Sequence, residues 1–132
     1  MLKGFEHMNL TTSDMDRTLV FYRDLLGMRE VVRRDIKGGG EIAFVEFPGG
    51  GMIEIVRPGT EVATPAREVP RTEAGIRHIA VSVENVDAAA AKLAEAGVTI
   101  TEQPRDAYHR DILKRVAFCL DPDGVSIELT ER

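Results

Sequence analysis

Hydrophobic and polar residues alternate along two stretches of the chain that resemble each other. One stretch covers residues 5–10 and the other covers 76–81, and each contains a histidine, His7 or His78, near its start. Alternation with a period of two is typical of a β-strand that buries one face. A strand is therefore predicted near the start of each half of the chain.

A helix is predicted after each of these strands. In the first half, Ser13 and Asp16 have the spacing of a capping box and precede apolar residues at helical intervals. In the second half, Asn85 or Asp87 can cap an alanine-rich stretch. Both helices are expected to end at a glycine, the residue preferred in a left-handed C-cap: Gly27 and Gly97.

Three further strand-like segments follow each helix. In the first half they are residues 29–33, 41–47 and 51–56, and in the second 98–101, 114–120 and 125–130. Short turns rich in proline and glycine join the last two segments of each half. Each half therefore has the order β-α-β-β-β, so the chain contains an internal repeat.

The repeat predicts an α+β fold. Two tandem βαβββ modules, at about 4–57 and 75–131, would be joined by a loop over 58–74 into a single domain that covers residues 1–132. One module is too small to bury both faces of its sheet. Two modules can form a curved mixed β-sheet with the helices outside.

Two histidines and two glutamates lie on the strand faces opposite the more apolar side chains: His7, Glu54, His78 and Glu128. Because they occupy equivalent positions in the two repeats, they are predicted to converge in a metal-binding cleft inside the sheet. Imidazole and carboxylate ligands suit one divalent ion of Zn, Ni, Co, Mn or Fe, with no choice among them. Taken singly, a strand histidine is more often a hydrogen-bonding partner, and a strand glutamate more often faces solvent.

Such a cation would leave room for two adjacent oxygens of a small-molecule substrate. The metal would act as a Lewis acid, and a carboxylate could remove a proton next to the carbonyl. The sequence thus favours an enzyme that moves a proton on a chelated carbonyl compound.

The composition of the chain indicates which classes of partner and which cellular location to expect. The chain has 132 residues and a formal net charge of −5, which argues against a nucleic-acid partner. No segment approaches the ~18 consecutive apolar residues of a membrane span. The single cysteine, Cys119, lies in an apolar run and is expected in the core. With no signal peptide or anchor evident, a cytoplasmic protein is expected.

Five short motifs carry a family resemblance: His7-Met8-Asn9-Leu10, Phe21-Tyr22-Arg23-Asp24-Leu25-Leu26-Gly27-Met28, Ile53-Glu54-Ile55, His78-Ile79-Ala80-Val81 and Asp121-Pro122-Asp123-Gly124-Val125-Ser126-Ile127-Glu128-Leu129. In these motifs the chain resembles the glyoxalase/bleomycin resistance/dioxygenase superfamily, also called vicinal oxygen chelate proteins, over nearly all of its length. The order His, Glu, His, Glu is similar to that of metal-dependent glyoxalase I. That resemblance implies a lyase or isomerase with Glu128 as the base and Glu54 as a ligand and second candidate base. It also implies a homodimer, in which sites are sometimes shared across the interface.

Other members of the superfamily provide alternatives. Methylmalonyl-CoA epimerase resembles residues 75–103, but Lys37 lies near the position of its glutamate base. A non-catalytic small-molecule-binding or resistance protein would lack the metal ligands, and an Fe(II) extradiol dioxygenase normally lacks the equivalent of Glu54. Thr11 and Pro58 stand where bacterial glyoxalase I has an arginine and an asparagine that hold glutathione.

Three more residues are candidates for substrate contact. His109 lies in the polar stretch 105–111 and is expected to be a loop residue, with a substrate contact as the alternative. Arg33 and Arg115 could hold an anionic substrate, although each is more often a surface charge.

Overall fold

The computed structural model describes all residues from 1 to 132, which form eight strands and two helical segments. In the first half these are β1 (His7–Thr11), α1 (Met15–Leu19) with a π-helical continuation (Val20–Leu25), β2 (Arg29–Ile36), β3 (Gly40–Glu46) and β4 (Met52–Arg57). In the second half they are β5 (Ile79–Ser82), α2 (Val86–Glu95), β6 (Ile100–Asp106), β7 (Arg115–Leu120) and β8 (Ser126–Glu131). The predicted order β-α-β-β-β is confirmed in both halves.

The strands form two four-stranded mixed sheets of identical topology. The strand order is β1-β4-β3-β2 in one sheet and β5-β8-β7-β6 in the other. The β1–β4 and β5–β8 pairs are parallel, and the remaining neighbours are antiparallel. The predicted α+β class with mixed sheets is therefore confirmed.

The chain divides into two compact units, Met1–Thr64 and Pro65–Arg132, and each contains one sheet and its helix. Residues 58–78 form no helix or strand. The longest helix has ten residues, and no helix is long and apolar enough to span a membrane.

Each helix packs on one face of its own sheet. Met15 and Leu19 of α1 are buried, and α1 contacts β4, whose Ile53 and Ile55 are also fully buried. In the second unit, α2 contacts β6, β7 and β8 through its own buried side chains: Val86, Ala90 and Leu93. Burial of each large aliphatic side chain contributes roughly 1.5–3 kcal/mol to stability. The helices therefore determine which face of each sheet becomes the core.

The alternation of buried and exposed residues confirms the predicted strand faces. In β4 the buried Ile53 and Ile55 flank the half-exposed Glu54. In β8 the buried Ile127 and Leu129 flank the half-exposed Glu128. A slip of one residue in register would turn these carboxylates into the core, at a large cost in desolvation.

The first helix begins one residue later than the predicted capping box implies. Asp14, and not Ser13, is the N-cap, and its carboxylate accepts a hydrogen bond of 3.0 Å from the Arg17 N–H. The reason is a buried pair of hydroxyls on Thr12 and Thr18, 2.7 Å apart, which holds the turn so that the backbone of Asp14 is extended. In the second helix Asn85, one of the two predicted caps, accepts from the Ala88 N–H at 2.8 Å.

The end of the first helix is wider than an α-helix. The Leu26 N–H donates to the Phe21 carbonyl, five residues back, at 3.0 Å. Phe21 and Tyr22 are both buried, and their rings meet edge to face with centroids 4.9 Å apart. Gly27 then takes a positive φ of 80°, and Gly97 does so at 83° after α2, as predicted for left-handed C-caps.

Glu131 links the end of β8 to the start of α2 through hydrogen bonds of its carboxylate. Its carboxylate accepts from the Val86 N–H at 3.1 Å and from the Lys114 ammonium at 2.5 Å, although Glu131 is only 6% exposed. The ammonium is the larger cause, and together these donors lower the pKa of Glu131. A lowered carboxyl pKa stabilises the fold at neutral pH, and that stability is lost as the pH falls through the lowered pKa.

Replacing Asp14 by Ala should lower the free energy of unfolding by about 1 kcal/mol, because the Arg17 N–H loses its acceptor. Ser13→Ala is the matched control and should change stability by only a few tenths of a kcal/mol. Urea denaturation of both variants measures the difference. A larger loss in Ser13→Ala would mean that the helix is capped at Ser13.

Replacing Glu131 by Gln should lower the melting temperature at pH 7, because the charge-assisted bonds are lost. Below about pH 4 the Glu131 carboxyl takes up a proton in the unfolded chain, and at still lower pH it does so in the folded protein as well. The difference in melting temperature between the variant and the unchanged protein should therefore shrink as the pH falls through this range. Glu95→Gln, an exposed change at the end of α2, is the control. A difference in melting temperature that does not vary with pH would exclude this linkage.

Candidate metal centre

The first pair of predicted ligands lies on the exposed face of the first sheet. Parallel pairing of β1 with β4 places Asn9 beside Glu54. His7 Nε2 lies 3.6 Å from Glu54 Oε2, and Asn9 Nδ2 donates to the same oxygen at 2.8 Å. The imidazole of His7 also meets the ring of Phe44 edge-on, with centroids 5.7 Å apart. The sheet register and these contacts hold the imidazole and the carboxylate together.

The second pair repeats this arrangement in the second sheet. Ala80 of β5 pairs with Glu128 of β8, and His78 precedes β5 directly. His78 Nε2 lies 3.1 Å from Glu128 Oε2. Its ring meets that of Phe118 edge-on, with centroids 5.5 Å apart. In both halves the histidine Nε2 faces the glutamate Oε2, and each histidine ring contacts the phenylalanine at the equivalent position of its own sheet.

The donor atoms of the two pairs fit a divalent first-row cation. Each pair presents one imidazole nitrogen and one carboxylate oxygen on a face reached by solvent. A pair alone provides two ligands, fewer than the three or four that protein sites for such cations use. In neither unit does a third histidine, cysteine, aspartate or glutamate join a pair in a group that could hold a metal ion. The structure therefore brings His7 to Glu54 and His78 to Glu128, and the four-ligand set stays a prediction.

Glu6 determines the orientation and the proton of the His7 ring. His7 Nδ1 donates to the Glu6 carboxylate, and this hydrogen bond is the main reason that the pKa of His7 is raised. Partial loss of hydration lowers the pKa of His7, and the charges of Glu6 and Glu54 raise it further. A proton held on Nδ1 leaves Nε2 of the neutral ring as the nitrogen that can bind a cation.

Two cavities open beside Glu128 in the second unit. The larger, about 400 Å³, is polar and contains His78, Glu128 and three arginines: Arg71, Arg77 and Arg105. The smaller, about 220 Å³, is mainly apolar: Ala107, Ile112, Leu113 and Val116 form its wall. Arg105, Tyr108 and Glu128 line both cavities. This space gives a small molecule access to Glu128.

Arg105 is a candidate residue that the sequence pattern does not reveal, because the predicted strand ends before it. Residues 98–101 were predicted as the strand, whereas β6 runs from Ile100 to Asp106 and includes Pro104. A proline usually argues against a strand. It is accepted here because β6 is the edge strand and its pairing with β7 is irregular. The positive charge of Arg105 is the only signal in the sequence that could have pointed to it.

The two arginines proposed from the sequence for an anionic substrate are occupied by carboxylates. Arg33 bonds to Glu41 and Asp16 through all three of its guanidinium nitrogens. Arg115 likewise uses all three nitrogens on Asp87 and Asp106. Neither lines the cavities beside Glu128, so the interpretation as surface charges is the one the structure favours.

His109 follows β6 in the loop that was predicted for it. Its side chain is exposed and borders the smaller cavity. It lies close enough to this cavity to keep substrate contact as an alternative.

Comparison with known proteins decides the family. The family model of the Glyoxalase/Bleomycin resistance protein/Dioxygenase superfamily matches residues 4–129. The chain belongs to this superfamily. The resemblance found in the five sequence motifs is thereby confirmed, and it extends over both βαβββ halves.

Relatives within the superfamily carry different descriptions. Escherichia coli (strain K12) protein YaeR is 32% identical over 134 residues, covering 99% of this chain and 98% of that protein. A probable lactoylglutathione lyase of Synechocystis is 28% identical over 133 residues, covering 95% and 92%. The chain is thus similar over nearly all of its length to a protein described as a probable lactoylglutathione lyase.

Solved structures show the same fold. The crystal structure of SMU.1112c has a TM-score of 0.82 and 30% identity, covering 99% of this chain and 100% of that chain. Glyoxalase I from Zea mays has a TM-score of 0.79 and 24% identity, covering 97% of this chain but 44% of the maize chain. The maize likeness supports the superfamily fold alone.

The thiol of this superfamily member is separate from the candidate ligands. Cys119 is fully buried in β7, and burial raises its pKa to about 11. At neutral pH it is a protonated thiol, which is a poor nucleophile and a poor metal ligand.

A thiol-specific reagent such as dithiobis(nitrobenzoate) should react with Cys119 many times more slowly in the native protein than in urea. The reason is that reaction requires both exposure and a thiolate. The absorbance of the released thiolate measures both rates. Rapid stoichiometric labelling of the native protein would contradict the burial of Cys119.

Proposed function

We propose that this protein is a metal-dependent lyase or isomerase of the glyoxalase I-like type. It removes a proton next to a carbonyl of a small substrate chelated to one divalent metal ion. The observation that carries the proposal is the duplicated pair, His7 with Glu54 and His78 with Glu128, each with Nε2 facing a carboxylate oxygen. Two such pairs supply the four nitrogen and oxygen ligands that the sequence predicts.

His7, Glu54, His78 and Glu128 would hold the metal. A divalent cation bound there supplies Lewis acidity, which makes the proton beside a chelated carbonyl more acidic. Zn, Ni, Co, Mn and Fe all accept mixed imidazole and carboxylate ligands, so the native metal stays open. The Phe44 and Phe118 rings support the imidazoles from the adjacent strands.

Glu128 is the proposed base, and an asymmetry between the halves supports this choice. Asn9 donates to Glu54 and restrains its carboxylate. The residue paired with Glu128 at the equivalent position is Ala80, which has no donor in its side chain. Glu128 also lines both cavities, so its carboxylate can reach a bound substrate. Glu54 is therefore the better fixed ligand, and Glu128 is freer to accept and return a proton.

The similarity to lactoylglutathione lyases supports the reaction class, while the substrate stays open. Two curated relatives, from Synechocystis and Arabidopsis thaliana, are described as such lyases, at 28% and 26% identity. Thr11 and Pro58 stand at the positions where the bacterial enzyme uses an arginine and an asparagine for glutathione. We therefore propose the proton transfer without assigning glutathione or any other thiol as part of the substrate. A homodimer, a single domain and a cytoplasmic location also stay predictions.

The first test is metal content and activity of Glu128→Gln. After a chelator has removed any bound metal and a divalent metal has been added back, elemental analysis should find one divalent ion for each predicted set of four ligands. Glu128→Gln should lower turnover by about 10²–10⁴-fold, because the base is lost, while three protein ligands remain. Glu46→Gln, a change on β3 outside the pairs, is the control and should leave turnover unchanged.

Turnover is measured with a panel of carbonyl substrates. Methylglyoxal with glutathione, with other thiols and without thiol, together with methylmalonyl-CoA, separates the lyase from the epimerase alternative. Exchange of the substrate proton with deuterated solvent reports the proposed step directly. Full turnover by Glu128→Gln would remove the assigned base.

Two results would replace the proposal by another class. Tight binding of a small molecule that survives removal of all metal, without turnover, would indicate a binding or resistance protein. Oxygen uptake with a catechol and Fe(II) would indicate a dioxygenase.

A further inference from the structure

Arg105 stands at the boundary between the polar and the apolar cavity beside Glu128. Its guanidinium is held on three sides. Nε donates to the Glu102 carboxylate, Nη1 donates to the Asp106 carbonyl at 3.0 Å, and the group lies 4.1 Å from the centre of the Tyr108 ring. Such a guanidinium is fixed in place before any ligand binds, which reduces the entropy lost on binding.

One nitrogen of this fixed group is unused. Arg105 Nη2 makes no hydrogen bond in the chain, whereas Arg33 and Arg115 engage all three of their nitrogens. Arg105 also borders both cavities, and neither of the other two arginines does so. Among these three arginines, only Arg105 combines an unused donor with a position beside a cavity that a ligand could enter.

The surrounding charges favour an anion in the polar cavity. Arg71 and Arg77 line it with Arg105, against the carboxylates of Glu68, Glu102 and Glu128. Glu102 is already bound by Arg105, and Glu128 would be neutralised as a ligand of a cation. Arg71 makes no ion pair in its unit, and Arg77 donates only to the Val69 carbonyl, at 3.1 Å. With a divalent ion present, positive charge would exceed negative charge around this cavity.

Resting on the function proposed above, we propose that Arg105 is the residue that selects the substrate. The substrate carries an anionic group, a carboxylate or a phosphate, in addition to the two oxygens that chelate the metal. Arg105 Nη2 binds this group from the polar cavity, with Arg71 adding charge. A short aliphatic part of the same substrate lies in the apolar cavity, against Ile112 and Leu113. The substrate is therefore a small organic anion with an apolar arm.

The test measures binding of simple probes, with and without metal, by isothermal titration calorimetry. Butyrate, neutral butyramide and inorganic phosphate are the probes. Butyrate should bind more tightly than butyramide, and Arg105→Gln should weaken butyrate about tenfold while leaving butyramide unchanged. Arg105→Lys should recover part of the loss, because it restores the charge without the planar geometry.

Arg115→Gln is the matched control, since Arg115 has similar ion pairs but lies outside both cavities. It should leave binding of all probes unchanged. Circular dichroism checks that each variant is folded, and Arg71→Gln, which removes no internal bond, gives a second test with a smaller loss expected. Tighter binding of butyrate than of phosphate assigns the anion as a carboxylate, and the reverse order assigns it as a phosphate.

Equal affinity of Arg105→Gln and the unchanged protein for both anions would overturn the inference. Equal affinity of the unchanged protein for butyrate and butyramide would do the same. The metal-free titrations separate the two proposals. If the protein binds a divalent ion but Arg105→Gln does not change anion binding, only the anion site is refuted. If anion binding depends on Arg105 but the protein takes up no metal, only the metal-dependent function is refuted.

Discussion

The parallel pairing of β1 with β4, and of β5 with β8, is the constraint on which the candidate site depends. Parallel strands at opposite ends of a β-α-β-β-β module bring residues from its start and its end onto one face. The helix covers the other face, so polar side chains must point away from it. One register thus satisfies the core and places an imidazole within 3.6 Å of a carboxylate in one half and 3.1 Å in the other.

The two halves have diverged around this shared arrangement. In the first, Asn9 and Glu6 restrain the carboxylate of Glu54 and the ring of His7. In the second, the counterpart of Asn9 is Ala80, and Glu128 borders two cavities instead. A held ligand and a freer carboxylate suit different tasks, since a general base must exchange protons while a ligand need not move. Under the proposed function, duplication supplies similar candidate ligands, and substitution of their neighbours would separate their roles.

The arginines around the sheets differ in how many of their guanidinium nitrogens form hydrogen bonds. Arg33 and Arg115 use every guanidinium nitrogen on nearby carboxylates and so link strands to helices. Such exposed ion pairs contribute little individually to stability. Arg105 is held as firmly but keeps one nitrogen beside a cavity. An unused donor together with a position beside a cavity is the reason that Arg105 is proposed as a binding residue.

The alternation of apolar residues, the glycines after the helices and the internal repeat were enough to predict the α+β fold, the strand faces and the four candidate ligands. These features depend on local chemistry and on a period of two, which a sequence displays directly. Tertiary structure alone decided that Asp14 caps the first helix, that β6 continues through Pro104, and that Arg105 borders a cavity while Arg115 does not. Each outcome depends on what the folded chain brings next to the residue. A buried hydroxyl pair sets the cap, an edge position in the sheet admits the proline, and the cavities lie beside Arg105 but not beside Arg115.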